Sequence, residues 1–235
     1  MQPADFDPAG APFDPAFVDP QQRGAAVAGA ELTAAALRER FRRPPPWLPE
    51  VAAERGAASG AQARAPRAAA VLMALIERPA GLAVLLTERS PHLVDHAGQI
   101  SFPGGRVEAA DRDPVATALR EADEELGLAP ASVQVLGELP VHLTGTGFSV
   151  TPVVGLVGDA IDLAALRPDS DEVAGVFEVP LRYLMDPANH QRRVIGEGNR
   201  RRTFYAMPYE AGGRSFFIWG ATAAMLRNLY HLLRA

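Results

Sequence analysis

The order of apolar and polar residues predicts regular structure from about residue 67 to the end of the chain. Runs of apolar and β-branched residues favour strands, whereas apolar residues spaced three or four apart favour helices. Strands are predicted at 68–76, 82–87, 100–102, 133–143, 148–157, 173–179, 203–209 and 215–218. Helices are predicted at 32–42, 114–126 and 221–233, with a helical turn at 181–185. This mixture of hairpins and helices indicates an α/β fold, a mixed sheet between helical layers in an α/β/α sandwich.

The first 66 residues are predicted to form a Pro/Ala-rich, partly flexible extension, and residues 67–235 to form the domain. Asp-Pro units recur at 7–8, 14–15 and 19–20, and proline at this density prevents a regular helix. A flexible tail is favoured over a segment whose phenylalanines dock on a partner subunit. The helix at 32–42 ends before three prolines, and residues 47–67 are predicted to be a linker.

The helix at 114–126 is indicated by its ends as well as by its apolar stripe. Asp113 suits the N-cap, and Pro114 suits the first helical position, where no helical hydrogen bond needs its missing N–H. Gly127 is typical of the residue that follows a helix. The prediction is therefore a helix with defined boundaries.

Three glutamates lie on one face of this helix, at positions i, i+3 and i+4. Glu121, Glu124 and Glu125 would repel one another there, and a divalent cation would remove the repulsion. Mg²⁺ is commonly held by a few carboxylates together with substrate phosphates. A solvated acidic face is the alternative, and the spacing alone does not decide between the two.

Composition excludes several classes of protein. The net charge of −5 disfavours a general nucleic-acid binder, and all 23 basic residues are arginine. The absence of cysteine excludes disulfides and thiolate metal sites. No apolar run approaches the roughly 20 residues that a membrane span needs. We expect a cytoplasmic protein that binds neither nucleic acid nor membrane.

Residues 105–128 resemble the signature of the Nudix hydrolases, Gly-x5-Glu-x7-Arg-Glu-(apolar)-x-Glu-Glu-x-Gly-(apolar). Residues 120–128 match at every specified position. Gly105 precedes Arg120 by fifteen residues instead of fourteen, and the acidic position falls on Asp111. We interpret this as an insertion of one residue before the helix, which leaves the role of Asp111 open.

Residues 85–105 resemble a second motif, that of coenzyme A pyrophosphatases within this family: Leu-Leu-Thr-x-Arg-(Ser/Ala)-x3-Arg-x3-Gly-x3-Phe-Pro-Gly-Gly. Every specified position agrees except one, where Val94 replaces an arginine. The similarity continues through 151–154, 171–173 and 216–220, and so covers roughly residues 67–235.

The resemblance implies the Nudix fold and a role for each matching residue. It implies Mg²⁺ or Mn²⁺ as the cofactor, with metal ligands at Glu121, Glu124, Glu125 and the backbone of Gly105. Glu124 is a catalytic candidate, Arg120 would hold a neighbouring carboxylate, and Glu172 is a candidate base. Candidate substrate-binding residues are Arg89, Arg106, Gly98, Phe102 and Gly104. The two arginines among them suit contacts to phosphate.

The implied activity is hydrolysis of the pyrophosphate bond of coenzyme A or its thioesters. The products would be 4′-phosphopantetheine, or its acyl form, and adenosine 3′,5′-bisphosphate. One alternative is a pyrophosphatase for ADP-ribose or another nucleoside diphosphate conjugate, which Val94 favours. The other is a Nudix-fold binding module without catalysis. Aromatic residues at 216, 217 and 219 are interpreted as core or homodimer-interface residues.

Overall fold

The computed structural model describes residues 7–17, 24–54, 65–93, 96–158, 161–198 and 201–235. Its helices are α1 (Ala34–Arg42), α2 (Pro114–Leu126), α3 (Leu181–Leu184) and α4 (Gly220–Arg234). Its strands are β1 (Arg67–Ile76), β2 (Ala83–Arg89), β3 (Ile100–Ser101), β4 (Gly104–Arg106), β5 (Val133–Glu138), β6 (His142–Leu143), β7 (Phe148–Val157), β8 (Val173–Pro180), β9 (Gln191–Ile195), β10 (Arg202–Ala211) and β11 (Arg214–Trp219).

The larger sheet is mixed, which confirms the predicted α/β architecture. Strand β1 pairs in parallel with β7 along its whole length, from Arg67 opposite Phe148 to Ile76 opposite Val157. It pairs antiparallel with β2 and β4. The strand order is β3-β2-β1-β7-β5, with β4 also on β1, β6 on β7 and β8 on β2.

Both faces of β1 are covered, because its residues alternate between two hydrophobic clusters. Leu72 and Ala74 pack with Ala118 and Ala122 of α2 on one face. Met73 and its neighbours on the other face share a cluster with residues of α4 and of the smaller sheet. The sheet therefore lies between helical layers, and α2 is fixed to one face by its small apolar residues.

Strands β9, β10 and β11 form a second, antiparallel sheet. The β10–β11 hairpin was predicted, but β9 was not, because Gln191, Arg192 and Arg193 hide its alternating pattern. The predicted strand 133–143 is also two strands. A register shift between Val135 and Gly137 bends β5, and the chain re-enters the sheet at β6.

Residues 24–54 pack against the domain to a greater extent than the predicted extension and linker suggested. Leu37 of α1 is fully buried, and Val27 and Leu32 join the same cluster as α4. Glu50 accepts a hydrogen bond of 2.7 Å from Nε of Arg227 in α4. The predicted division at residue 66 remains a prediction, and residues 55–64 of the predicted linker lie outside the described residues.

The described part of the first 17 residues also contacts the domain. Phe17 is buried, and Asp14 pairs with Arg192 of β9 at 2.7 Å. These contacts are within one chain and differ from the flexible tail that the prolines suggested. Among the described residues, no helix is both long and apolar enough to cross a membrane.

Helix α2 has the boundaries that its sequence predicted. The carboxylate of Asp113 accepts a hydrogen bond of 2.7 Å from the backbone N–H of Ala116. Gly127 ends the helix in the left-handed region with φ of 68°. The cap therefore marks where the helix begins.

We predict that Asp113→Ala lowers the free energy of unfolding by about 1 kcal/mol, because the first turn loses its side-chain cap. Urea unfolding followed by circular dichroism measures the change. Asp123→Ala, on the exposed face of the same helix, is the matched control and should change stability by less than about 0.5 kcal/mol. Equal effects of the two substitutions would contradict the assigned role of Asp113.

Candidate metal and phosphate site

Arg120, in the middle of α2, is the centre of a network of carboxylates. Its Nε and Nη2 donate hydrogen bonds of 3.0 Å to the two carboxylate oxygens of Asp111. It also pairs with Glu124 at 2.8 Å and with Glu121 at 3.0 Å. The pKa of Asp111 is lowered, chiefly by the hydrogen bonds from Arg120. The guanidinium thus holds the loop before the helix against the glutamate face.

Asp111 is the site residue whose role the sequence left open. Its side chain is 5% exposed, and it also accepts hydrogen bonds from the hydroxyl of Thr117 and the backbone N–H of Glu108. Despite the inserted residue, the loop presents this carboxylate to Arg120. Thr117 is fully buried in α2 and was not predicted from the sequence. The feature of the sequence that could have indicated a role for Thr117 is its position four residues after Asp113, on the buried side of the helix.

Glu125 is buried beside two other carboxylates. Burial raises its pKa to about 8, and the charges of Glu172 and Glu121 contribute to the shift. The backbone N–H of Gly104 and the charge of Arg89 oppose the shift. Burial also raises the pKa of Glu121. Helix α2 and the loop before β8 therefore bring negative charge together in a partly buried space.

The glycines of β4 allow this close approach. A side chain at Gly105 would place its Cβ 2.4 Å from the carboxylate of Glu121. A Cβ at Gly104 would lie 2.4 Å from the carbonyl oxygen of Ala70, and its φ of 156° also disfavours other residues. The Gly-Gly pair therefore lets strand β4 contact both β1 and the carboxylates of α2.

The chemistry of the donor set fits a hard divalent cation, although the side chains do not converge on a single point. Carboxylates and backbone carbonyls form an all-oxygen set, which suits Mg²⁺ or Mn²⁺. A cation would also offset the charge around buried Glu125. Among the described residues, no three acidic or histidine side chains are positioned to hold a metal together. Glu121 and Glu124 are instead paired with Arg120, so binding would require them to turn away from it.

The candidate substrate-binding residues lie in different surroundings. Arg89 is near Glu125, and its Nε is buried without a hydrogen-bond partner among the described atoms. Gly98 lines a cavity beside β11. Phe102 is 2% exposed and belongs to the core, so it supports the turn instead of presenting a surface to substrate.

Arg106 does not point into the carboxylate cluster. Its guanidinium lies 5.6 Å from the ring centre of Phe148. Alternation along β4 places it on the face opposite Gly105. Its backbone carbonyl, however, accepts a hydrogen bond of 3.1 Å from Arg120. The side chain of Arg106 thus lies away from the carboxylate cluster, and its contact with phosphate stays a prediction. Val94, which occupies the motif position of an arginine, lies outside the described residues.

Comparison with known proteins agrees with the fold and with the Nudix signature. Residues 66–195 match the family described as NUDIX domain. The chain is 43% identical over 164 residues to the "Uncharacterized Nudix hydrolase NudL" of Salmonella paratyphi B, covering 69% of this chain and 81% of that protein. The same figures hold for NudL of Salmonella newport. A solved Nudix hydrolase, RenU of M. smegmatis, shares 24% identity, with 49% of this chain and 71% of that chain covered and a TM-score of 0.42.

The chain belongs to the Nudix hydrolase family. Members of this family hydrolyse pyrophosphate bonds and generally use divalent metal ions. The helix that carries Arg120 and the three glutamates contains the residues of this chain that match the family signature.

We predict that Glu125→Gln makes the protein at least as stable as the native chain at pH 8 in EDTA. A carboxyl whose pKa is raised by folding stabilises the fold at low pH, and this stability is lost as pH rises from about 4.5 to about 8. Thermal melting at pH 5 and pH 8 measures the difference. A variant that melts well below the native chain at pH 8 would contradict the assigned cost of the buried charge.

The same variant tests the response to metal. MgCl₂ or MnCl₂ should stabilise the native chain by about 2.7 kcal/mol at about 100 times the dissociation constant. Glu125→Gln should lose most of this gain, whereas Asp123→Asn, on the exposed face of α2, should keep it.

Proposed function

We propose that the chain is a Mg²⁺- or Mn²⁺-dependent pyrophosphatase that hydrolyses coenzyme A or its thioesters in the cytoplasm. The supporting observation is that Arg89, from the coenzyme A motif, lies near buried Glu125. The positive charge of Arg89 partly opposes the rise that burial causes in the pKa of that carboxyl. The motif that suggests the substrate thus adjoins the carboxylates that suggest the reaction. Residues 67–235 would hold this activity.

Each residue of the site would have a distinct task in the hydrolysis. Glu121, Glu124, Glu125 and the carbonyl of Gly105 would hold the cation. When bound, the cation would neutralise the negative charge of the phosphate oxygens, which otherwise hinders the attack of water on phosphorus. Arg120 positions Glu124 and Glu121 by direct hydrogen bonds, as it does in the structure.

Glu172 is the proposed general base. It lies in the loop before β8, is exposed, and is close enough to Glu121 and Glu125 to raise the pKa of both. Its backbone carbonyl accepts a hydrogen bond of 2.8 Å from Ser90, which ties this loop to the end of the coenzyme A motif. A carboxylate in this place can take the proton of the attacking water.

We predict that Glu124→Gln lowers kcat by about 100-fold or more, because the site loses both a metal ligand and the partner of Arg120. The melting temperature should change little, since the side chain of Glu124 is 60% exposed. The rate of metal-dependent product formation measures the effect, and Asp123→Asn is the matched control. Full turnover by Glu124→Gln would overturn the metal assignment.

Substrate choice is tested separately with coenzyme A, dephospho-coenzyme A, ADP-ribose and NADH. We expect the highest kcat/KM with coenzyme A, and the products 4′-phosphopantetheine and adenosine 3′,5′-bisphosphate. A higher kcat/KM with ADP-ribose would favour the second candidate, for which Val94 is the supporting observation. Binding of these compounds without any metal-dependent product would instead indicate a binding module.

A further inference from the structure

A cavity of about 370 Å³ lies outside the carboxylate cluster, between three segments distant in sequence. Its walls are residues 7–9, residues 97–100 and strand β11. The volume falls within the roughly 300–1,000 Å³ of typical small-molecule sites. The 97–100 segment belongs to the coenzyme A motif, whereas the other two walls do not.

The N-terminal wall is held in place by a set of specific contacts. Asp14 is 3% exposed and pairs with Arg192 at 2.7 Å and with Arg201 at 2.9 Å. The backbone N–H of Asp14 donates to the carbonyl of Arg192, and that of Val194 donates to the carbonyl of Pro12. Residues 12–14 are thereby hydrogen-bonded to the edge of β9.

Arg193 joins this segment to the cavity. Its Nη1 donates hydrogen bonds of 2.6 Å and 2.7 Å to the carbonyls of Ala9 and Ala11. The same guanidinium lies 5.4 Å from the ring centre of Phe217, on the opposite wall. One side chain therefore fixes the distance between the N-terminal wall and β11.

The charge of the lining disfavours a phosphate. The described residues that line the cavity include two acidic residues, Asp7 and Glu88, and no basic residue. Glu88 is paired with Arg214 at 2.5 Å, and the guanidinium of Arg193 lies against the same wall as Asp7, so the surroundings of the cavity carry little net charge. Gln99 and Ser215 add neutral hydrogen-bonding groups.

The aromatic rings of the cavity are already in contact with other groups. Phe216 is stacked on Phe177 at 3.9 Å, and Trp219 meets the ring of Phe204 at 5.4 Å. The guanidinium of Arg193 lies over the ring of Phe217. Each ring among the described lining residues already has an aromatic or cationic neighbour, so the walls suit an aliphatic chain better than a purine.

We propose that this cavity binds an uncharged, amide-bearing arm of the substrate, the part that lies beyond the diphosphate. The proposal rests on the proposed function, because coenzyme A carries such an arm. Ile100 at the cavity and Gly104 at the carboxylates are four residues apart, which limits their separation to about 14 Å. The cavity and α2 lie on opposite faces of the larger sheet, but Ile100 belongs to β3, which is at one end of the strand order. A single extended substrate can therefore pass around this edge to reach both places, with residues 7–17 completing the site for its arm.

The test uses pantetheine, which is the arm without any phosphate. The chain has two tryptophans, so Trp47→Phe leaves Trp219 in the cavity wall as the only indole. In EDTA, pantetheine should produce a saturable change in the emission of Trp219, whereas AMP should produce none. Calorimetric titration of the native chain with pantetheine provides the same measurement without the tryptophan substitution.

Arg193→Ala should weaken pantetheine binding by about tenfold, because it releases the N-terminal wall. Arg182→Ala is the matched control. It also removes an arginine that donates to a backbone carbonyl, that of Ala80 at 3.2 Å, and it should bind pantetheine as the native chain does. The proposal is overturned if pantetheine does not bind, if Arg193→Ala binds it unchanged, or if AMP occupies the cavity instead.

Failure of this proposal differs from failure of the proposed function. Hydrolysis of coenzyme A without pantetheine binding would retain the function and reject the subsite. Pantetheine binding that Arg193→Ala weakens, with no hydrolysis of coenzyme A, would retain the subsite and reject the function.

Discussion

The guanidinium of Arg120 connects three parts of the chain that charge repulsion and loop flexibility would otherwise separate. It binds Asp111 in the loop before α2, the backbone carbonyl of Arg106 after the Gly-Gly turn, and two glutamates of the helix. Its own pKa is raised by these partners, chiefly by the hydrogen bonds to Asp111. Because arginine presents several donors in a fixed plane, it can hold these groups together. The orientations of Glu121 and Glu124 depend on this arrangement, whereas Glu125 accepts a hydrogen bond of 3.3 Å from the backbone N–H of Gly104.

Local chemistry explains which elements could be predicted from the sequence. Asp113, Pro114 and Gly127 specify the ends of α2 through short-range hydrogen bonds and backbone preferences, so its boundaries were predicted correctly. The apolar run at 148–157 likewise matches β7. Strand β9 was missed because Gln191, Arg192 and Arg193 hide its alternating pattern, and because one of its pairing partners, Phe13, is distant in sequence. A pattern within five residues contains no information about such pairing.

The site shows the same limit. Spacing on one helix brought Glu121, Glu124 and Glu125 to one face, and the motif identified Arg120 and Gly105. Neither the spacing nor the motif showed that Asp111 would bind Arg120, or that the side chain of Arg106 would lie near Phe148. Those outcomes depend on the path of a loop and on which face of a short strand a residue occupies. The glutamate cluster and the cavity near β11 also differ in chemistry, since acidic groups dominate the first, whereas aromatic and neutral polar residues dominate the lining of the second.

The parallel pairing of β1 with β7 has a consequence for how the protein is made. Arg67 lies opposite Phe148, and the whole of α2 is contained in the chain between them. During synthesis, β1 and the glutamates leave the ribosome well before β7, and closing so long a loop is slow. Until residue 157 has emerged, the carboxylates therefore have only the antiparallel strands β1 to β4 to pack against. A nascent chain truncated before β7 would carry the complete signature of its family and yet lack Val153 and Val157, which share a hydrophobic cluster with α2.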